Sequence, residues 1–483
     1  MQNQSAEAIV ARSSVCQASA AAVALALGAC SFAPPLKIPE VPVADVYKER
    51  SPWTPAQPSD QMPRDTWWTL YGDNELNTLQ LKLVEHSPDL AAALAHYQQA
   101  KAINDQIRSG LFPTLFASGN ASRLRQSETR PLRVLGPTSP NEYSSYTIGV
   151  EADYEFDLWG RIRNQVASGS ASERAAQADL ESARLSLQAQ LADAYITLRG
   201  LDREITLLND SVAAYQKALD LTTERHNGGI ASGLDVARAQ TQLESTRSQA
   251  KQTLALRAVV EHAIAVLVGE SASNFSIEPR LVDIALPIIP AGVPSTLLQR
   301  RPDIAAAQRR IAAANANIGV ARAAFFPAVT LSGVIGFQSS ESANFISAPN
   351  TFWAIGPSLF LTLFDAGRRT AEVARTEAVL DEAGATYRSV VLNAFKQVED
   401  NLALLNYYRD AAESERAAVT AAQRSLDYAT LRYREGAVNY LEVVASQTTT
   451  LQTQRDALDL DTRQRRASVQ LIRALGGGWS ADL

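Results

Sequence analysis

Residues 145–161 read SYTIGVEADYEFDLWGR, and two periodicities meet in them. Tyr146, Ile148, Val150, Ala152, Tyr154, Phe156 and Leu158 alternate with Thr147, Gly149, Glu151, Asp153, Glu155 and Asp157. Side chains alternate across a strand, so the pattern predicts one apolar and one acidic face. After Gly160-Arg161 the period changes. Leu191, Leu198, Ile205, Val212 and Leu219 recur at sevens, with Ala194, Leu201, Leu208 and Tyr215 three residues after the first four. That is the a/d seam of a coiled coil. Nothing between Arg161 and Asn227 stops a helix except the isolated Gly169 and Gly200. A two-faced strand therefore feeds a helix of about 65 residues, roughly 100 Å long at 1.5 Å per residue.

Working outward, the same plan occurs twice. Pro88-Asp89 and Phe112-Pro113 recur 214 residues later as Pro302-Asp303 and Phe326-Pro327. Gly149, Gly160-Arg161, Arg225, Gly229 and Gln240 recur 207 residues later as Gly356, Gly367-Arg368, Arg432, Gly436 and Gln447. The lag changes between the two strands of a repeat, so the length difference belongs to the loop joining them. The expected organisation is a leader over 1–29, an anchor and Pro-rich tether over 30–66, repeats over 67–269 and 294–476, a linker over 270–293 and a tail over 477–483.

Composition narrows the function. A net charge of −6 over 483 residues gives no support for nucleic-acid binding. No apolar run is long enough for a spanning helix, so any membrane crossing must use strands. The acidic face of Glu151, Asp153 and Glu155 suits a watery lumen and the apolar face suits lipid. Tyr143 and Tyr146 at one end, with Tyr154, Phe156 and Trp159 at the other, suit aromatic girdles. A soluble strand with a solvated acidic edge fits this stretch about as well, but Trp353–Phe364, its repeat, is far more apolar. Two strands per repeat give four per chain, and four leave open edges that lipid does not tolerate. Copies must complete the wall: two give eight strands and a filled interior, three give twelve and a lumen.

Both cysteines, Cys16 and Cys30, fall in the N-terminal leader. Leu27-Gly28-Ala29-Cys30 closes an Ala-rich apolar segment and resembles a lipobox, which predicts lipid on Cys30; the poorly basic start fits a signal peptide less well. Four scattered histidines form no metal spacing and Gly476-Gly477-Gly478 lacks the flanks of a phosphate loop, so neither enzyme nor cofactor is expected.

Several motifs, in order and at repeat-consistent spacing, resemble the outer membrane efflux protein family in its lipoprotein branch. They are Trp67-Trp68 to Leu76, Phe156-Asp157-Leu158-Trp159-Gly160-Arg161, Arg300-Arg301-Pro302-Asp303, Ala323-Ala324-Phe325-Phe326-Pro327 and Leu363-Phe364-Asp365-Ala366-Gly367-Arg368. The resemblance implies a mixed α and β membrane fold. In it, four strands per chain join a shared twelve-stranded trimeric β-barrel, continued by a long periplasmic α-helical barrel. It also implies a homotrimer in the outer membrane lipid, a periplasmic adaptor and an inner-membrane pump of the resistance-nodulation-division class. A type I protein secretion duct, or a periplasmic coiled-coil scaffold, are the alternatives.

The resemblance assigns roles at the two turns between long helices. Asp235, Glu442 and Tyr433 match positions at the periplasmic constriction. Gly229, Ile230, Ala231, Glu435, Gly436 and Ala437 match the turns that meet the adaptor. By residue type alone, Ser232 and Asp235 fit a capping box, Asn439 and Glu442 hold the same places in the second turn, and Tyr433 fits helix packing.

Overall fold

The computed structural model describes residues 31–42, 47–49, 66–128, 141–287, 289 and 301–477. The lipidation expected at Cys30 lies outside them. A short 3-10 turn, Trp67–Tyr71, precedes α1 (Asn74–His86) and α2 (Pro88–Ser109). Next come β1 (Thr114–Arg125), β2 (Glu142–Phe156), α3 (Arg161–Asn227) and α4 (Gly233–Leu267). The second repeat supplies α5 (Pro302–Ala323), β3 (Ala328–Ser339), β4 (Thr351–Phe360), α6 (Arg368–Arg434) and α7 (Tyr440–Ala474). α3 and α6 are each 67 residues long, and α4 and α7 each 35. No described helix is long and apolar enough to cross a membrane.

The chain divides into two compact units, and each draws on both repeats. The first takes in residues up to Pro39, Gln98–Ala175 and Gln308–Thr386; the second takes in Glu40–Tyr97, Ala176–Ala307 and Tyr387–Leu483.

In the first unit the strands form one antiparallel sheet in the order β1-β2-β3-β4. The register separates its faces. Ala117, Val150, Ile335 and Trp353 align across one face; Phe116, Glu151, Val334 and Ala354 align across the other. Gly149 and Gly336 sit opposite each other in the ladder. A Cβ on Gly336 would lie 2.3 Å from the Ile148 carbonyl oxygen, so no larger residue fits there. β2 ends at Phe156, short of the expected strand, because Asp157 takes another role. Its carboxylate accepts the amides of Ile162 (3.0 Å) and Arg163 (2.8 Å), two orphan donors of α3's first turn. Likewise β4 ends at Phe360, and Asp365 accepts the Arg369 amide and guanidinium. Leu361–Phe364, read as strand, lie beyond it.

The described N-terminal segment is seated on this unit. The Ser31 hydroxyl donates to Asn164 (3.0 Å), Asn315 donates to the Pro34 carbonyl (2.8 Å), and Phe32 stacks on Phe326 at 4.5 Å. Phe326 is also covered by Trp159 at 4.9 Å, whose indole donates to the Pro327 carbonyl (2.7 Å).

In the second unit the heptad seam packs as its spacing demands. Leu208 and Tyr215 of α3 are buried with Leu243 and Ala250 of α4 and Leu451 of α7, flanked by Val212 and Leu219. Each large apolar side chain so covered contributes about 1.5–3 kcal/mol. The buried Arg199 bridges elements distant in sequence. It donates to Asp202 (2.7 Å), to the Tyr195 hydroxyl (3.1 Å), to the Glu278 carbonyl (2.9 Å) and to Glu75. Arg257 reaches Asp202 and the Ile277 carbonyl, each at 2.6 Å. These bonds pin the linker after α4 onto α3 and α1, and removing one partner would cost about 3–5 kcal/mol. Arg301, just before α5, donates to Asp303 (2.6 Å) and to the Ala474 carbonyl (2.8 Å).

Candidate gate at the helix-hairpin turns

Both turns that join the long helices lie in the second unit and share a backbone design. α3 ends on Gly229 (φ +74°) and α6 on Gly436 (φ +77°), the left-handed residues that let a chain leave a helix. The Ile230 amide returns to the Arg225 carbonyl, and the Ala437 amide to the Arg432 carbonyl, both at 2.8 Å. Ile230, Glu435, Gly436 and Ala437 are exposed, and Ala231 is half-buried.

The side chains then diverge. In the first turn Ser232 and Asp235 form a complete capping box: the Asp235 amide donates to Ser232 Oγ (3.2 Å) and the Ser232 amide to Asp235 Oδ2 (3.4 Å). The Asp235 carboxylate also takes the Ser232 hydroxyl at 2.9 Å and lies 3.5 Å from Arg238. The second turn departs from the expected parallel. Asn439 accepts from Leu441, one residue short of Glu442, at 3.1 Å. Glu442 is therefore not held by the cap and faces Arg432 at 3.5 Å, with 52% of its side chain exposed against 14% for Asp235.

Tyr433 is buried. Its ring meets Tyr440 edge-on at 5.2 Å, inside a cluster with Ala239, Ala429 and Val443. The Arg225 guanidinium sits 4.9 Å from the Tyr433 ring centre and donates to the Arg434 carbonyl (3.2 Å), so α3 is tied to the end of α6. Burial, with the neighbouring Tyr433 phenol adding to it, pushes the Tyr440 hydroxyl up to about 12. Arg225 and Tyr440 were not singled out by sequence reasoning. Arg225 had the repeat as its signal, since it recurs as Arg432; Tyr440 had none, because Tyr433 and Tyr440 stand where the first repeat has His226 and Gly233.

On the sheet, the acidic candidates also separate. Glu155 is paired with Arg161 at 2.6 Å, and Asp153 accepts the Ser332 hydroxyl at 2.6 Å. Glu151 stands between Phe116 and Val334 in the ladder.

A two-faced sheet with both edges open within the described chain, together with helix pairs of 67 and 35 residues, defines the class: one protomer of a membrane duct built from strands and long helices. The chain belongs to the outer membrane efflux protein family, whose model matches residues 81–270 and 293–477. It is 31% identical to the outer membrane protein OprJ of Pseudomonas aeruginosa, over 95% of both chains. It is equally identical to the toluene efflux pump outer membrane protein TtgC of Pseudomonas putida, again over 95% of both. The solved outer-membrane channel OprN superposes with a TM-score of 0.85 at 28% identity, covering 93% of this chain and all of that one. The chain is accordingly an outer-membrane efflux channel with a large periplasmic helical portion, and its family is one of trimeric ducts that work with an adaptor and an inner-membrane pump.

Proposed function

We propose that this protein is the passive exit duct of a tripartite efflux system. Three copies close a twelve-stranded barrel, and the turns between the long helices form a gate that meets the periplasmic adaptor. The duct catalyses nothing itself; energy comes from the pump. In this reading the five candidate carboxylates at gate and lumen are not equivalent. Glu442 carries the charge that faces permeating ions, because it is exposed and spared from capping. Asp235 serves the helix, because both its oxygens are engaged within one turn. Tyr433 closes the gate by packing, not by lining it. Glu151 is the lumen acid, with Glu155 neutralised by Arg161. Gly229, Ile230 and Ala231, with Glu435, Gly436 and Ala437, present the adaptor surface.

The observation that carries this is the difference in exposure between Glu442 and Asp235. Rings of exposed carboxylates favour cations in a constriction. In planar bilayers, Glu442→Gln should lower cation over anion selectivity several-fold, and Asp235→Asn should change it little. Equal loss in both variants, or none in Glu442→Gln, would refute the assignment.

A further inference from the structure

The internal repeat turns one intrachain contact into a template for a contact between chains. Inside the chain, β2 hands over to β3 at a covered seam. Phe326-Pro327 enters β3, Trp159 follows β2, and the indole both stacks on Phe326 and bonds Pro327. With Phe32 stacked on it as well, Phe326 is 36% exposed there. Its repeat counterpart is Phe112-Pro113, at the entrance of β1. Phe112 is 70% exposed, and no strand of the described chain flanks β1 on its outer side.

The missing neighbour of β1 has to be β4 of a second copy. β4 runs antiparallel to β3, and β3 to β2, and β2 to β1, so an added β4 meets β1 antiparallel as well. The exit of β4 then falls beside the entrance of β1. That exit carries Leu363 and Phe364, 88% and 85% exposed on the isolated chain. Counted back from the Gly-Arg pair that opens each long helix, Ala366 occupies the place of Trp159. The seam between copies thus lacks an indole and its bond to proline.

We infer that, in the assembled duct, Leu363 and Phe364 of one copy cover Phe112 of the next, as Trp159 covers Phe326 within a copy. This rests on the trimeric reading above and adds the residues that close it. Apolar side chains this exposed lose their cost in water only when something covers them. The occupant is a second copy and not lipid because the two exposed patches lie at the two edges that closure brings together.

The test uses the full-length protein in detergent-solubilised outer membrane. Phe112→Cys is combined with Leu363→Cys or Phe364→Cys, and oxidised. Covalent dimers and trimers on a denaturing, non-reducing gel are expected, with each single variant and the intrachain pair Trp159→Cys with Phe326→Cys remaining monomeric. Absence of such bands in a particle whose native mass is three chains would overturn the seam while leaving the trimer standing. A mass other than three would remove the trimer itself. A second readout is Phe112→Trp in vesicles of brominated phosphatidylcholine. Its added fluorescence should resist quenching relative to wild type; strong quenching would mean that Phe112 faces lipid and would refute the proposal.

Discussion

The two hairpin turns share a backbone and differ in what holds them. The first is stapled by its own polar side chains: Ser232 with Asp235, and His226 with the Ala231 carbonyl at 2.9 Å. The second is stapled by rings, Tyr433 on Tyr440, and leaves Glu442 outside. Local capping is worth about 1 kcal/mol and does not depend on neighbours. Ring burial is worth more, but it requires Ala239 from the other hairpin. The first turn is thus self-sufficient, whereas the second is fixed only while the hairpins stay together. In the gate proposed above, that division would make one lip rigid and the other conditional.

The largest effect should come from Tyr440→Ala, which removes a nearly fully buried ring and should cost about 3 kcal/mol locally. Hydrogen exchange at the start of α7 should then quicken by about two orders of magnitude, with α4 unaffected; equal quickening in both turns would break the contrast. Arg225→Ala loses a cation–π contact and a carbonyl bond, together about 2 kcal/mol. It should loosen the second turn and raise channel open probability, which single-channel recording would reveal. Ser232→Ala removes only the cap, about 1 kcal/mol, and should quicken exchange in the first turn of α4 alone. A last effect is one of pH. Because the folded Tyr440 hydroxyl is raised from 10 to about 12, the neutral phenol is favoured by the fold. That contribution is complete below pH 10 and is lost as pH rises through about 12, so the second turn should loosen over this window before the first. Exchange measured across it, with Tyr440→Phe as control, checks the order.

Much of this was legible in residues. The limits of α3 followed from uninterrupted heptads and Gly228-Gly229, and the capping box from Ser232 and Asp235 at the required spacing. Gly200, an anomaly in the heptads, marks a close approach: a Cβ there would lie 2.5 Å from Thr462 Oγ1. The rest depended on partners far apart in the chain. Arg199 and Glu75 are separated by 124 residues, so the pinned linker read only as a Pro-containing connection. Phe32 and Phe326 are similarly remote, and the composition of the Pro-rich tether does not reveal their packing. Glu442 looked like Asp235 because spacing does not reveal which amide an asparagine cap will choose.

The proposed duct depends on closure by identical copies, and native mass spectrometry of the detergent-released particle tests that directly. Three chains per particle, falling apart only as the strands unfold, is the expected result. A single chain that keeps its full strand and helix content in water without detergent would contradict it.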